Sequence, residues 1–172
     1  MKRINLRSEK GFTVIELIVV FAIIGLLSSF VLTTTSTARF NARSAQRLAD
    51  LGQIHVALEL YYDEHQSYPP SSGWNGIYSC WGYASTDSNA NGWISQLVPR
   101  YIYKLPRDPR NHINCDAQYI YSSNTVDYKL IAHNPENCMG ETRRNLPLRD
   151  PTRGGNNGCW AFGYWTPGAV SW

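Results

Sequence analysis

The sequence predicts an α+β fold. A long N-terminal helix, with an apolar transmembrane half and an amphipathic half, packs on a small antiparallel sheet, followed by a loop-rich, disulfide-bonded C-terminal region. Three observations carry this prediction. Helical spacing of apolar residues runs from Phe12 to about His65 with no proline before Pro69. Two alternating, aromatic segments then flank a short polar turn at Ser123-Asn124-Thr125. All four cysteines, Cys80, Cys115, Cys138 and Cys159, follow the helix.

With 172 residues the chain holds one modest core beside an anchor, and not comfortably two cores. Apolar residues make up 43% of it, yet mean hydropathy is −0.34, because they concentrate between Phe12 and Leu32. The net charge is +3, and the first eleven residues alone supply it, with Lys2, Arg3, Arg7 and Lys10 against Glu9. Everything after Gly11 is neutral in sum. The pI of about 8.7 therefore belongs to a short flank and is a poor argument for nucleic-acid binding.

Taken as a helix, the 21 residues Phe12–Leu32 span about 31 Å, the hydrocarbon thickness of a bilayer. Four cations precede the run and none lies within it, so residues 1–11 stay in the cytoplasm and everything after Leu32 is exported. An ordinary secretory signal has a shorter apolar region followed by a small-residue cleavage site, whereas this run continues directly into an amphipathic helix. Glu16 interrupts it, and a carboxylate at mid-membrane costs roughly 2.5–3.5 kcal/mol on insertion scales. Two readings of Glu16 are open. It snorkels to the cytoplasmic interface, or it pairs with a cation. Cleavage before Phe12 would create an α-ammonium one helical turn away, and in an assembly either group would neutralise its counterpart on a neighbour.

The string Lys10-Gly11-Phe12-Thr13-Val14-Ile15-Glu16-Leu17 resembles the cleavage and N-methylation motif of type IV prepilins and type II secretion pseudopilins, with all its positions filled. The resemblance implies that Gly11 ends a leader and that Phe12 becomes the N-methylated mature terminus. It also implies that a membrane aspartyl prepilin peptidase cuts between them and that Glu16 guides docking into a filament. The domains are then a leader peptide over 1–11, a transmembrane and filament-core helix over 12–37, and an extracytoplasmic globular domain over 38–172. Members of this family often carry a helix-breaking proline after the apolar run. Here Thr33-Thr34-Thr35-Ser36-Thr37 stands instead, a soft point because such residues lower helix propensity and bond to the preceding turn.

Beyond the membrane, Leu48, Leu51, Ile54, Leu58 and Tyr61 or Tyr62 share one helical stripe. Arg39, Arg43 and Arg47 share another, read as a solvated face or an inter-subunit contact in preference to a site for anionic headgroups or DNA. Tyr68-Pro69-Pro70 ends the helix, and a surface loop is expected to about Gly92. The segment Trp93–Ile102 reads as a turn of helix or an extended stretch. It leads to Leu105-Pro106-Arg107-Asp108-Pro109, a string similar to the one before the sheet in major pseudopilins and related pilins. Gln118–Ser122 and Tyr128–Ala132 form the predicted hairpin. Secreted pseudopilins often follow this sheet with an acidic calcium loop. The matching stretch His133–Cys138 holds one carboxylate, too few for the several oxygens calcium requires, so no metal and no cofactor is expected. The arginine- and glycine-rich stretch after Met139 reads as a loop laid over the sheet, and Trp160–Trp165, alternating large with small residues, as a final strand, on an edge.

Four cysteines on the exported side suit two disulfides, with three possible pairings. Cys80–Cys115 with Cys138–Cys159 closes the shorter loops, and pilins often bridge their C-terminal loop. Zinc is disfavoured because no pair has C-x-x-C spacing. No catalytic residue emerges. Cys115 with His112 or His133 lacks a nucleophile motif and an oxyanion donor, and no phosphate loop, H-E-x-x-H or G-x-S-x-G occurs. The six tryptophans and eleven tyrosines could line a glycan face or stack on single-stranded DNA, but no basic stripe interleaves with them, so they read as core.

The function expected is a structural subunit of a type IV pilus-like filament. By resemblance, its partners are identical subunits, a prepilin peptidase, an assembly ATPase, membrane platform proteins and, before assembly, the inner membrane. A major pseudopilin of type II secretion is the close alternative. The leucine-proline-aspartate-proline string leans towards it, while two disulfides and a missing calcium loop lean towards the pilus. A membrane-tethered glycan-binding module is a more distant one.

Overall fold

A computed structural model of the chain describes residues 11–77, 84–85, 92–110, 117–136, 138, 148–153 and 159–172, with the side chains of 30–34 and 84–85 outside the description. The first helix, α1, spans Val14–His65, 52 residues, and continues through the threonine-rich stretch without a break. Among the described residues no helix is long and apolar enough to cross a membrane. The chain divides between Asn41 and Ala42 into two compact units.

In the second unit α1 buries Leu51, Ile54, Ala57 and Leu58, each 1% exposed or less. They pack into one apolar cluster with Tyr119 and Tyr121 of β3 (Gln118–Ser123), Tyr128, Leu130 and Ala132 of β4 (Tyr128–His133), and Phe162 of β5 (Ala161–Trp165). Period-3.6 residues on the helix thus meet period-2 residues on the sheet. The helix stops at His65 because Gln66 turns into the left-handed region (φ 54°). The Tyr62 carbonyl accepts the Gln66 main-chain amide at 2.7 Å, and the Gln66 side-chain amide donates to the carbonyls of Tyr62 and Asp63, so both oxygens at the helix end are served.

The sheet has the order β2-β1-β3-β4-β5. Its four strands β1 (Asn75–Gly76), β3, β4 and β5 are antiparallel, and β2 (Ala84–Ser85) lies parallel to β1. Both short strands fall where a plain loop was expected, since two-residue strands have no periodicity to read. The β3–β4 hairpin turns through Asn124–Asp127, where Asn124 Oδ1 accepts the amides of Val126 and Asp127 at 3.0 and 2.7 Å. The stretch Trp93–Ile102 contributes a 3₁₀ turn, Ser95–Leu97, with Trp93, Ile94 and Leu97 buried. β5 forms an edge, and its alternation has a steric cause: a Cβ on Gly163 would press into the Leu130 carbonyl oxygen and stand 2.7 Å from Ile131 Cα.

The other face of the sheet, built on Ile120, Ile131 and Ala161, is covered by Trp74 and Trp165. Lys129 is fully buried there and donates to Asp150 at 2.9 Å and to the main-chain oxygens of Val170 and Trp172 at 3.1 and 2.9 Å. Burial pushes the Lys129 ammonium below its ordinary pKa. Burial pushes Asp150 up, but hydrogen bonds from Lys129, Thr152 and Arg153 outweigh it and leave this carboxyl low.

The arginine stripe departs from the sequence reading. Arg47 is fully buried, and its Nε and Nη2 donate to the two carboxylate oxygens of Asp108 at 2.8 and 3.1 Å. Arg43 Nη2 bonds Glu136 at 2.7 Å. The stripe thus faces carboxylates of its own chain, 61 and 93 residues away in sequence, and neither arginine forms a merely solvated face.

Candidate processing and assembly site

The helix begins within the string Lys10–Leu17, at Val14. The Thr13 carbonyl accepts the Leu17 amide at 3.3 Å, the first helical hydrogen bond, which makes Thr13 the N-cap and Glu16 the third helical residue. The Thr13 amide and hydroxyl both donate to Glu16 Oε2 at 2.8 Å, and the Glu16 amide donates to Thr13 Oγ1 at 3.4 Å. This reciprocal arrangement is a capping box, Thr-x-x-Glu, and it satisfies two of the helix's otherwise unpartnered amides. Among the described residues Glu16 Oε1 carries no hydrogen bond, and none joins Glu16 to Phe12.

Sequence reasoning looked for the partner of Glu16 on another group and passed over Thr13. The signal was present, a threonine three residues before a glutamate at the head of an apolar run. Gly11 and Phe12 precede the helix, with Phe12 88% exposed and no atom within 4 Å of a Cβ placed on Gly11. Among the described residues nothing shields the Gly11–Phe12 bond.

From Phe12 to Leu27 twelve large apolar side chains are each about half exposed or more, and they lie on every side of the helix. A helix apolar all round has to be covered by lipid or by other helices. At roughly 1.5–3 kcal/mol for each side chain fully buried, covering even half of that surface outweighs the few kcal/mol that one carboxylate costs. Ser28 and Ser29 do not oppose this, because their hydroxyls fold back onto the carbonyls of Ile24 and Leu26 at 2.7 and 2.8 Å.

Of the cysteines, Cys138 and Cys159 form a disulfide with Cα atoms 5.1 Å apart. Cys80 and Cys115 lie outside the described residues, as do residues 1–10, Trp81 and most of the stretch after Met139. Among the described residues the tryptophans are dispersed. Trp93 is buried, Trp165 lies beneath Lys129, Trp74 lies 4.3 Å beneath the Arg153 guanidinium, and Trp160 is exposed.

Residues 6–32 match the family model of the prokaryotic N-terminal methylation motif. The chain is similar to the type II secretion system core protein G of Klebsiella pneumoniae, with 27% identity over 60% of this chain and 71% of the relative. It is similar to the protein of the same description from Escherichia coli K12, with 26% identity over 77% of this chain and 86% of the relative. The corresponding protein of Vibrio cholerae matches at 27% identity over 67% and 73%. No solved structure matches.

Proposed function

We propose that the chain is a structural filament subunit of the type IV pilin and type II secretion pseudopilin kind, cut between Gly11 and Phe12 and assembled through the helix that follows, and that its filament is a secretion pseudopilus. The surface pilus favoured by the sequence alone gives way here. The relatives named above are type II secretion proteins, and their alignments extend well past the N-terminal motif into the sheet-bearing region.

One observation carries the filament reading: an apolar helix exposed on all sides, interrupted by one carboxylate with one oxygen held and the other open. Before assembly the inner membrane covers the helix, with the N-terminus cytoplasmic. An assembly ATPase and a membrane platform then transfer the subunit into a bundle of like helices in the periplasm. Glu16 Oε2 stays on Thr13, and Oε1 takes the N-methylated ammonium of Phe12 from a neighbour. The desolvation both charges suffer makes this contact a register device more than a source of stability. The role is mechanical and needs no catalytic residue.

Mass spectrometry of the mature N-terminus tests the processing, and the expected species begins at N-methyl-Phe12. An uncut chain beginning at Met1 refutes the filament subunit and favours a tether. Deleting the gene then separates the two filament types. Loss of protein export with surface pili intact supports the pseudopilus, and lost pili with normal export overturns it. Filaments of ordinary appearance from a Glu16→Ala chain refute the role given to that carboxylate.

A further inference from the structure

We propose that the Cys138–Cys159 disulfide is a redox latch that holds Glu136 among three arginines and thereby fixes the start of α1 within the C-terminal unit. The Glu136 side chain is 14% exposed and takes Arg43 Nη2 at 2.7 Å, Arg110 Nε at 3.3 Å and, more distantly, Arg47 Nη2 at 3.8 Å. Arg43 and Arg47 lie one turn apart on α1, and Arg110 lies just past Asp108, whose carboxylate takes two hydrogen bonds from Arg47. One carboxylate thus ties the sheet's exit segment to the helix and to the loop before β3.

Glu136 is itself held from both sides. Two residues before it, Asn134 adopts a left-handed conformation (φ 51°) and donates its amide to the Trp160 carbonyl at 2.6 Å. Two residues after it, Cys138, 2% exposed, is bonded to Cys159, the neighbour of Trp160. Asn134 and Cys138 are therefore both tied to one dipeptide, and Glu136 lies midway between them in sequence. Opening the disulfide frees the C-terminal pin, and the bracket that aims Glu136 at the arginines is lost.

The consequence is local. Arg43, 34% exposed, can return to water, and Arg47 keeps Asp108. The cluster from Leu51 to Leu58 packs on β3, β4 and β5 and includes Cys138, which as a small apolar thiol can stay buried there, while Glu136 is no member of it. Closing the latch joins the two Sγ atoms with loss of two protons and two electrons to a protein disulfide oxidant. A dithiol reductant reverses it. That closure follows export rests on the filament reading above. The coupling between the bond and α1 does not, and is tested separately.

Amide exchange of the full chain in detergent, oxidised and reduced, for the native sequence and for Glu136→Gln, reads that coupling. Reduction is expected to speed exchange about tenfold over residues 42–50, which is about 1.4 kcal/mol of local opening, and to leave 51–62 unchanged. Oxidised Glu136→Gln is expected to show the same local increase. Reduction is then expected to add little in that variant, because both changes act through one carboxylate. Equal and additive effects of reduction in both backgrounds overturn the latch. So does unchanged exchange over 42–50 on reduction, or acceleration spread evenly through 51–62.

Discussion

Replacing Arg47 with methionine removes a guanidinium that the fold has taken wholly out of water, and strands the carboxylate it serves. Asp108 has a side chain 3% exposed and takes two hydrogen bonds from Arg47, at 2.8 and 3.1 Å. Its remaining described contact is the Arg110 amide at 2.9 Å. Breaking one side of a buried ion pair costs about 3–5 kcal/mol, because the surviving charge keeps its desolvation penalty; at about 4 °C per kcal/mol, Tm falls by about 12–20 °C. The Arg43→Met change, at a pair with one side 34% exposed, is expected to cost about 0.2–1 kcal/mol. Adding Asp108→Asn to Arg47→Met removes the orphaned charge yet keeps an acceptor for the Arg110 amide, and is expected to restore stability to within about 2 kcal/mol of the native chain. Thermal unfolding of the four chains, followed by circular dichroism, measures the series. An Arg47→Met loss no larger than that of Arg43→Met, or a double variant less stable than Arg47→Met alone, refutes the buried-pair account and restores the solvated stripe.

Three further outcomes are expected. Gly163→Ala drives a methyl into the β4 backbone and should cost at least about 2 kcal/mol or prevent folding, whereas Gly25→Ala, with nothing within 4 Å, should be neutral or slightly favourable; equal melting temperatures would contradict the steric reading. Asp50, under the Tyr119 hydroxyl at 2.8 Å, has its pKa raised by burial, which outweighs the lowering effect of that hydrogen bond, with Asp108 adding to the rise. A raised folded-state pKa contributes stability that is full below the unfolded carboxyl value and is lost as pH rises through the folded one. Asp50→Asn should therefore melt higher than the native chain near pH 7 and converge with it in acid, and a lower melting point near pH 7 would count against this. Thr13→Ala removes the N-cap, worth about 1 kcal/mol, and should speed amide exchange in the first turn of α1 alone; protection unchanged there would show that the box contributes nothing.

The elements legible in the sequence were those with a period. The helix ends at His65 where the prolines foretold, the hairpin falls on the two alternating aromatic runs, and Ala161–Trp165 is the edge strand its large-small pattern described. The strands β1 and β2 were not legible, because two residues carry no period and their pairing is set by β3. At the candidate site, Gly11, Phe12 and Glu16 stand out as a contiguous motif, and their processing and assembly roles remain part of the proposal. The partner of Glu16 was legible too, as a threonine three residues before it in the capping-box spacing.

The sequence by itself determined whatever depends on near neighbours or on running composition. The apolar half and the amphipathic half of one helix, the cationic flank before it, and the match to the N-terminal methylation motif all come from residues within a few turns of each other. Only the tertiary structure decided the fate of the charges. Arg43 and Arg47 look like a surface row until carboxylates 93 and 61 residues away close on them, and Gly163 looks like a spacer until the β4 backbone lies against it. The physical reason is that an ionic or steric pairing across the fold is a property of two distant segments at once. Periodicity reports which face of a helix or strand a residue occupies, and the packed chain alone sets what stands opposite.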